Sequence, residues 1–155
     1  MKLSNIKLNL EINNIDKSPI RKNFIKKVIV STLEESGYLE LAEKKIVISV
    51  ALVSESEIQR INKQYRKKNE ATDILSFCEF EKIKQLKNVN EAELFLGELV
   101  LCYNYIKENA MSYVSEVGLQ KELAKIIAHG VLHLLGFAHG KKMFLIQDDI
   151  ALKSA

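Results

Sequence analysis

The chain reads as a single α+β domain over residues 1–155. The expected architecture is a small mixed sheet of about four strands flanked by about five helices. Three observations give that class. The spacing of apolar residues switches back and forth along the chain between a period of two and a period of about 3.6, so strands and helices are interleaved. A length of 155 residues with 47% hydrophobic content is enough to bury one sizeable core. Finally, no Pro-, Gly- or Ser-rich linker, internal repeat or low-complexity run divides the chain.

Leu3 to Ile12 alternates apolar with polar residues and predicts a strand. Ser18-Pro19 then supplies an N-cap followed by proline in a first helical turn. The stripe Ile25, Val28, Ile29, Thr32 and Leu33 has helical spacing, and Gly37 is a natural stop. Ile46 to Val53 is β-branched and nearly all apolar, which is the pattern of a strand buried on both faces.

Ser54-Glu55-Ser56-Glu57 has the form of a capping box and opens a helix with Ile58, Ile61 and Tyr65 on one side. Strands are expected at about Asp73 to Phe80 and Leu94 to Leu101, separated by a lysine- and asparagine-rich loop around Lys82 to Asn90. The remainder is helical: about Asn104 to Tyr113, then Gly118 to Leu135, then a short last helix after Met143.

The chain's three histidines all fall in the window His129-Gly130-Val131-Leu132-His133-Leu134-Leu135-Gly136-Phe137-Ala138-His139. Residues four apart on a helix sit one turn above each other, so His129 and His133 share a stripe, roughly 6 Å apart along the axis. Gly136 falls where a left-handed residue would end the helix, and the turn it permits swings His139 back toward the same point. A lone histidine near an apolar helix is usually a packed core residue or a surface one. Three at this spacing, with none elsewhere, point instead to three ligands for one ion, a metal site at the C-terminal end of the helix. A three-ligand site leaves a position open for water or substrate, as catalytic zinc sites do. Zinc, one per chain, is the expected ion, and other divalent transition metals that accept imidazole are alternatives.

The same histidine spacing occurs in zinc proteases, where a glutamate follows the first histidine and acts as general base. Here that position is Gly130, which cannot take a proton from metal-bound water. The geometry is shared and the chemistry has to differ.

The window resembles the H-G-x-L-H-L-x-G-Y-D-H signature of the YbeY-type ribosomal RNA maturation factors, which are metal-dependent endoribonucleases of ribosome biogenesis. The resemblance continues through Asn62, Tyr65-Arg66, Thr72-Asp73-Ile74-Leu75-Ser76-Phe77, Gly97-Glu98 and the trailing Met143-Phe144, Gln147 and Ile150. It implies a single-strand-preferring endoribonuclease that trims or surveys ribosomal RNA, with ribosomal RNA and the small ribosomal subunit as partners. By the same resemblance Arg66 is the family's functional arginine. Four positions depart from the pattern. Phe137-Ala138 replaces Tyr-Asp, removing a carboxylate that could orient a ligand or poise bound water. Ala71 replaces a proline, and Glu98 an aspartate.

Net charge is +3, from 23 basic and 20 acidic residues, which neither requires nor excludes a nucleic-acid partner. Its distribution is more informative: Lys17 to Lys27 and Arg60 to Lys68 are basic, whereas Glu34 to Glu43 and Glu91 to Glu98 are mainly acidic. Only Arg21, Arg60 and Arg66 are arginines in this lysine-rich chain. A planar, bidentate guanidinium suits phosphate better than an ammonium does, and Arg66 is the candidate phosphate contact. Arg66 and His129 are the expected catalytic residues, and Arg66, Thr72, Asp73 and Ser76 the expected substrate-binding set. Thr72, Asp73 and Ser76 are equally suited to closing a loop and starting a strand. Glu98 is a candidate supporting acid or a solvated edge residue. Glu122, roughly 10 Å from His129 along the helix, is too far away to share its ion but within reach of substrate or water.

Cys78 and Cys102 are isolated in apolar segments and read as buried reduced thiols. Met1-Lys2-Leu3-Ser4-Asn5-Ile6-Lys7 lacks the apolar core of a secretory signal, and no stretch approaches the ~20 apolar residues of a membrane span. The expectation is a soluble, cytoplasmic monomer with no membrane contact. Two other readings share these features: a metallopeptidase whose base comes from elsewhere, and a non-catalytic ribosome-assembly factor with a structural metal.

Overall fold

The computed structural model describes residues 6–80, 92–110 and 115–154. Its elements are β1 (Lys7–Asn14), α1 (Lys22–Glu35), a short 3-10 turn (Leu39–Glu43), β2 (Lys45–Leu52), α2 (Glu55–Arg66), β3 (Ile74–Cys78), β4 (Glu93–Leu101), α3 (Tyr103–Asn109), α4 (Glu116–Leu134) and α5 (Lys141–Lys153). The strands form one mixed sheet in the order β1-β2-β4-β3. β1, β2 and β4 run parallel, and β3 pairs antiparallel with β4 at the edge. The α+β class, four strands and five helices expected from the sequence are all present.

Sheet position explains the strand sequences. β2 is the central strand most completely sandwiched, and Ile46, Val47, Ile48, Val50 and Leu52 are all buried. Edge strand β1 keeps only Leu10 fully buried and shows the alternating pattern of a half-solvated strand. The main core lies on the sheet face covered by α1, α4 and α5, and α4 contributes Leu123, Ala124, Ile127, Val131, Leu132 and Leu134 to it. Each large aliphatic side chain buried there contributes roughly 1.5–3 kcal/mol. A smaller cluster on the opposite face joins Ile58 of α2 to Val53, Leu75, Val100 and Cys102.

Some boundaries differ from the sequence expectation for local reasons. α1 begins at Lys22 with Arg21 as N-cap, three residues beyond Pro19. Ser18 is engaged elsewhere: its N–H donates to Asn14 Oδ1 and its carbonyl accepts from Asn14 Nδ2, both at 2.9 Å. This ring closes the β1–α1 loop, and Ser18 Oγ accepts from the Ile20 N–H at 3.4 Å, ahead of the helix, so Ser18 caps none of its N–H groups. α4 starts slightly earlier than expected because Ser115 Oγ accepts from Gly118 N–H, an N-cap the apolar pattern does not reveal. β3 is shorter than the expected Asp73 to Phe80, and the last helix opens at Lys141, before Met143. The capping box of α2 is half formed, since Ser54 Oγ accepts from Glu57 N–H while the Glu57 carboxylate turns outward to Arg60. The start of the first expected strand, the Lys82 to Asn90 loop and the end of the helix expected to reach Tyr113 lie outside the described residues.

Candidate metal centre and cleft

From Ile126 to Leu134 every residue of α4 is buried except His129 and His133, whose stripe is where this half of the helix opens to solvent. Gly130 shows why the helix can lie so close to the sheet. A Cβ there would sit 2.7 Å from Ile74 Cδ1, 3.0 Å from Leu99 Cδ2 and 3.2 Å from Ser76 Oγ. A protease-like glutamate at this position would be driven into the sheet. Ser76 Oγ donates to the Gly130 carbonyl at 3.2 Å and Cys78 Sγ to the His133 carbonyl at 3.2 Å, fastening edge strand β3 to α4.

α4 ends as the sequence predicts. Gly136 is left-handed at φ 86°, its N–H donates to the His133 carbonyl, and the Phe137 N–H donates to the Leu132 carbonyl. These two bonds form a Schellman motif. Phe137 then packs on the core edge-to-face with Tyr38, its ring centroid 5.6 Å away, which fixes the direction in which the chain returns with His139.

The result is convergence of three imidazoles. His133 Nε2 lies 3.0 Å from His129 Nε2 and 3.2 Å from His139 Nε2. Ligands about 2.0–2.1 Å from one tetrahedral ion are roughly 3.3 Å apart, so these nitrogens can hold a single divalent ion with little rearrangement. His129 is further constrained by Gln147 of α5, whose Oε1 lies 2.9 Å from His129 Nδ1. An amide oxygen only accepts, so Nδ1 carries the proton and Nε2 presents its lone pair to the site. Gln147 is only 6% exposed, so this bond also satisfies a buried amide. Burial first, and then the neighbouring imidazoles, hold the His133 pKa below the usual histidine value, favouring the neutral form that ligates metal. The Arg66 charge acts in the same direction.

The histidines open into a cleft of about 570 Å³ that is also lined by Arg66, Thr72, Asp73 and Ser76. The residues expected from sequence as metal ligands, catalytic groups or substrate contacts therefore all line one cleft. Arg66 is the last residue of α2 and exposed, and among the described residues its side chain makes no ion pair or hydrogen bond. A structural bridge to Asp73 or Glu98 is thus absent. Asp73 instead accepts from the Ile74 N–H at 2.7 Å and from Thr72 Oγ1 at 3.4 Å, so it shapes the start of β3 while also lining the cleft. The loop that delivers Thr72 and Asp73 is tied back by Asn62, whose Nδ2 donates to the Glu70 carbonyl at 2.9 Å.

Other residues complete or correct the sequence reading. Glu98 pairs with Phe77, on the sheet face away from the histidines, and is a solvated residue rather than a support for them. Glu122 does line the cleft, as does Lys125, which pairs with Asp148 at 3.6 Å. Cys102 is buried as expected, whereas Cys78 is exposed in the cleft; partial burial raises its thiol pKa and keeps the proton it donates to His133. The contact between Gln147 and His129 was not legible from spacing, because the two residues lie on different helices. Signals for Lys125 and Cys78 were equally weak, since both belong to otherwise ordinary helical and strand patterns.

Comparisons with known proteins agree with this geometry. Residues 11–152 match the family model described as endoribonuclease YbeY. A protein named endoribonuclease YbeY from Halalkalibacterium halodurans is 33% identical, covering 92% of this chain and 94% of its own length. Its namesake from Persephonella marina is also 33% identical, covering 96% and 91%. The solution structure of a Thermotoga maritima protein matches with a TM-score of 0.57 and 27% identity, over 94% of this chain and 89% of the other. Taken with the three converging histidines, these similarities show that the chain belongs to the endoribonuclease YbeY family.

Proposed function

We propose that this protein is a metal-dependent endoribonuclease, one domain over residues 1–155, that prefers single-stranded RNA and acts in maturation and quality control of ribosomal RNA. The observation that carries the reading is the placement of Arg66, whose side chain is unpaired among the described residues, in the same cleft as three converging imidazole nitrogens. Family membership supplies the reaction class. In this reading ribosomal RNA and the small ribosomal subunit are the partners, and the protein works as a cytoplasmic monomer. No helix among the described residues is long and apolar enough to cross a membrane.

His129, His133 and His139 would hold one Zn2+, the ion that best suits three neutral imidazoles and an open fourth position. When bound, the ion supplies Lewis acidity at a phosphoryl oxygen and lowers the pKa of a coordinated water. His129 is the ligand whose proton is fixed, because Gln147 holds it on Nδ1. Arg66 places two N–H donors toward the scissile phosphate and offsets charge as it builds there. Thr72, Asp73 and Ser76 line the path of the backbone and position it. Ser76, already donating to Gly130, keeps its oxygen free to accept.

The test is incubation of metal-quantified protein with single-stranded and structured RNA, with and without chelator. Internal cleavage of the single-stranded substrate that stops with chelator and returns with added metal is expected. Peptide hydrolysis abolished by chelator, with RNA untouched, would overturn the reading in favour of a peptidase.

A further inference from the structure

The α2 stripe of Ile58, Ile61 and Tyr65 runs past the end of the surface it covers. Ile58 is fully buried and Ile61 is partly buried in the smaller core, but Tyr65 is 62% exposed. Its ring is nevertheless fixed, packing edge-to-face on Phe77 of β3 at 5.4 Å between centroids and 73° between planes. Phe77 and Ser76 point to opposite faces of the edge strand, so Tyr65 lies across β3 from the histidine side of the cleft. Its neighbours in sequence are cations: Lys63, Arg66, Lys67 and Lys68 are all exposed. Arg66, the next residue along, is the one that reaches the cleft.

A single exposed aromatic residue would need no explanation. Here, however, a ring that stays 62% exposed while packed on Phe77 lies within a basic run and is one residue from the proposed phosphate contact. We infer that Tyr65 is a base-stacking platform for an unpaired nucleotide adjacent to the scissile phosphate, so that the RNA strand crosses the β3 edge from the histidines onto α2. The ligand class is an unpaired nucleobase in single-stranded RNA, and the inference rests on the ribonuclease reading above. The platform accounts for the single-strand preference in physical terms. A base within a duplex has both faces covered by its neighbours and cannot lie on the tyrosine ring, whereas a splayed base can. Stacking requires no sequence readout, so the preference would be for strandedness and not for a particular base. Among the described residues Phe144 is also an exposed ring near the site, but it stacks on His139 at 6.3 Å, so changing it would disturb a candidate metal ligand. Tyr65 is the cleaner position to test.

The experiment uses the metal-replete full chain in single-turnover cleavage of a single-stranded RNA, with protein concentration varied. Tyr65→Ala and Tyr65→Leu should raise the half-saturating concentration roughly 5- to 150-fold, while Tyr65→Phe stays close to wild type. Leucine keeps apolar packing against Phe77 but offers no π-face, so the split between leucine and phenylalanine separates stacking from structural support. The effect should fall on half-saturation more than on the maximal rate, with melting temperature and metal content unchanged. Half-saturation unchanged in Tyr65→Ala, or leucine performing as well as phenylalanine, would overturn the platform while leaving the ribonuclease reading intact. A wild-type protein that neither binds nor cleaves the RNA would overturn both.

Discussion

Arg66 and Gln147 show how single residues divide the work of the cleft. Arg66 has no partner among the described residues, so removing it should leave folding and metal content intact while slowing RNA cleavage about 10- to 100-fold, the consequence of losing a charge-assisted contact worth roughly 1.5–3 kcal/mol. Arg66→Lys restores the charge but not the two-pronged geometry, and should recover only part of the rate. Melting temperature, bound metal and single-turnover cleavage measured on the same preparations check this; full cleavage by Arg66→Ala would remove the residue from the mechanism. Gln147 acts through another group. Gln147→Leu takes away the acceptor that fixes the His129 proton and should weaken metal retention roughly 10- to 100-fold, as measured by competition with a chromogenic chelator. Gln147→Glu keeps an acceptor and should retain the ion. Arginine was legible as a candidate because the chain is otherwise rich in lysine. Gln147 was not, because an amide in a helix has no distinctive sequence signature until its partner is known.

At the scale of elements, two glycines set how closely the pieces can approach. Gly97 lies on β4 at the register shift with β2, with φ 140°, and a Cβ there would come within 2.2 Å of the Phe77 carbonyl oxygen. That neighbour is backbone and cannot rotate away, so Gly97→Ala should destabilise the fold by roughly 3 kcal/mol or more, read from denaturant unfolding. At Gly130 the nearest atoms are ends of the Ile74 and Leu99 side chains, which can shift, so alanine there should cost less than at Gly97. The reverse order would contradict the packing described here. Periodicity sufficed for α2, β2 and the body and C-terminal end of α4, because each has a long patterned run and a recognisable end. It failed at the start of α1, where Asn14 competes for Ser18, and at the start of α4, where Ser115 caps from outside the apolar stripe. Side-chain competition for backbone groups is local, but it depends on how the loop folds.

At the scale of the molecule, one sheet edge organises the site. β3 carries Ser76 and Cys78 toward α4 and Phe77 toward α2, so the same short strand joins the histidine helix to the helix that ends in Arg66. The three ligands were legible in the sequence because they are close together and the Gly136 turn was foreseeable. The approach of Arg66, separated from them by more than sixty residues, was known only through family resemblance, since strand order cannot be derived from periodicity. The proposed chemistry depends on these histidines binding one ion. Elemental analysis of purified wild type and His133→Ala, each shown to be folded by circular dichroism, tests that most directly. We predict about one divalent ion per chain in the wild type and essentially none in the variant, because His133 Nε2 lies between the other two ligands. Unchanged metal content in a folded His133→Ala protein would contradict it.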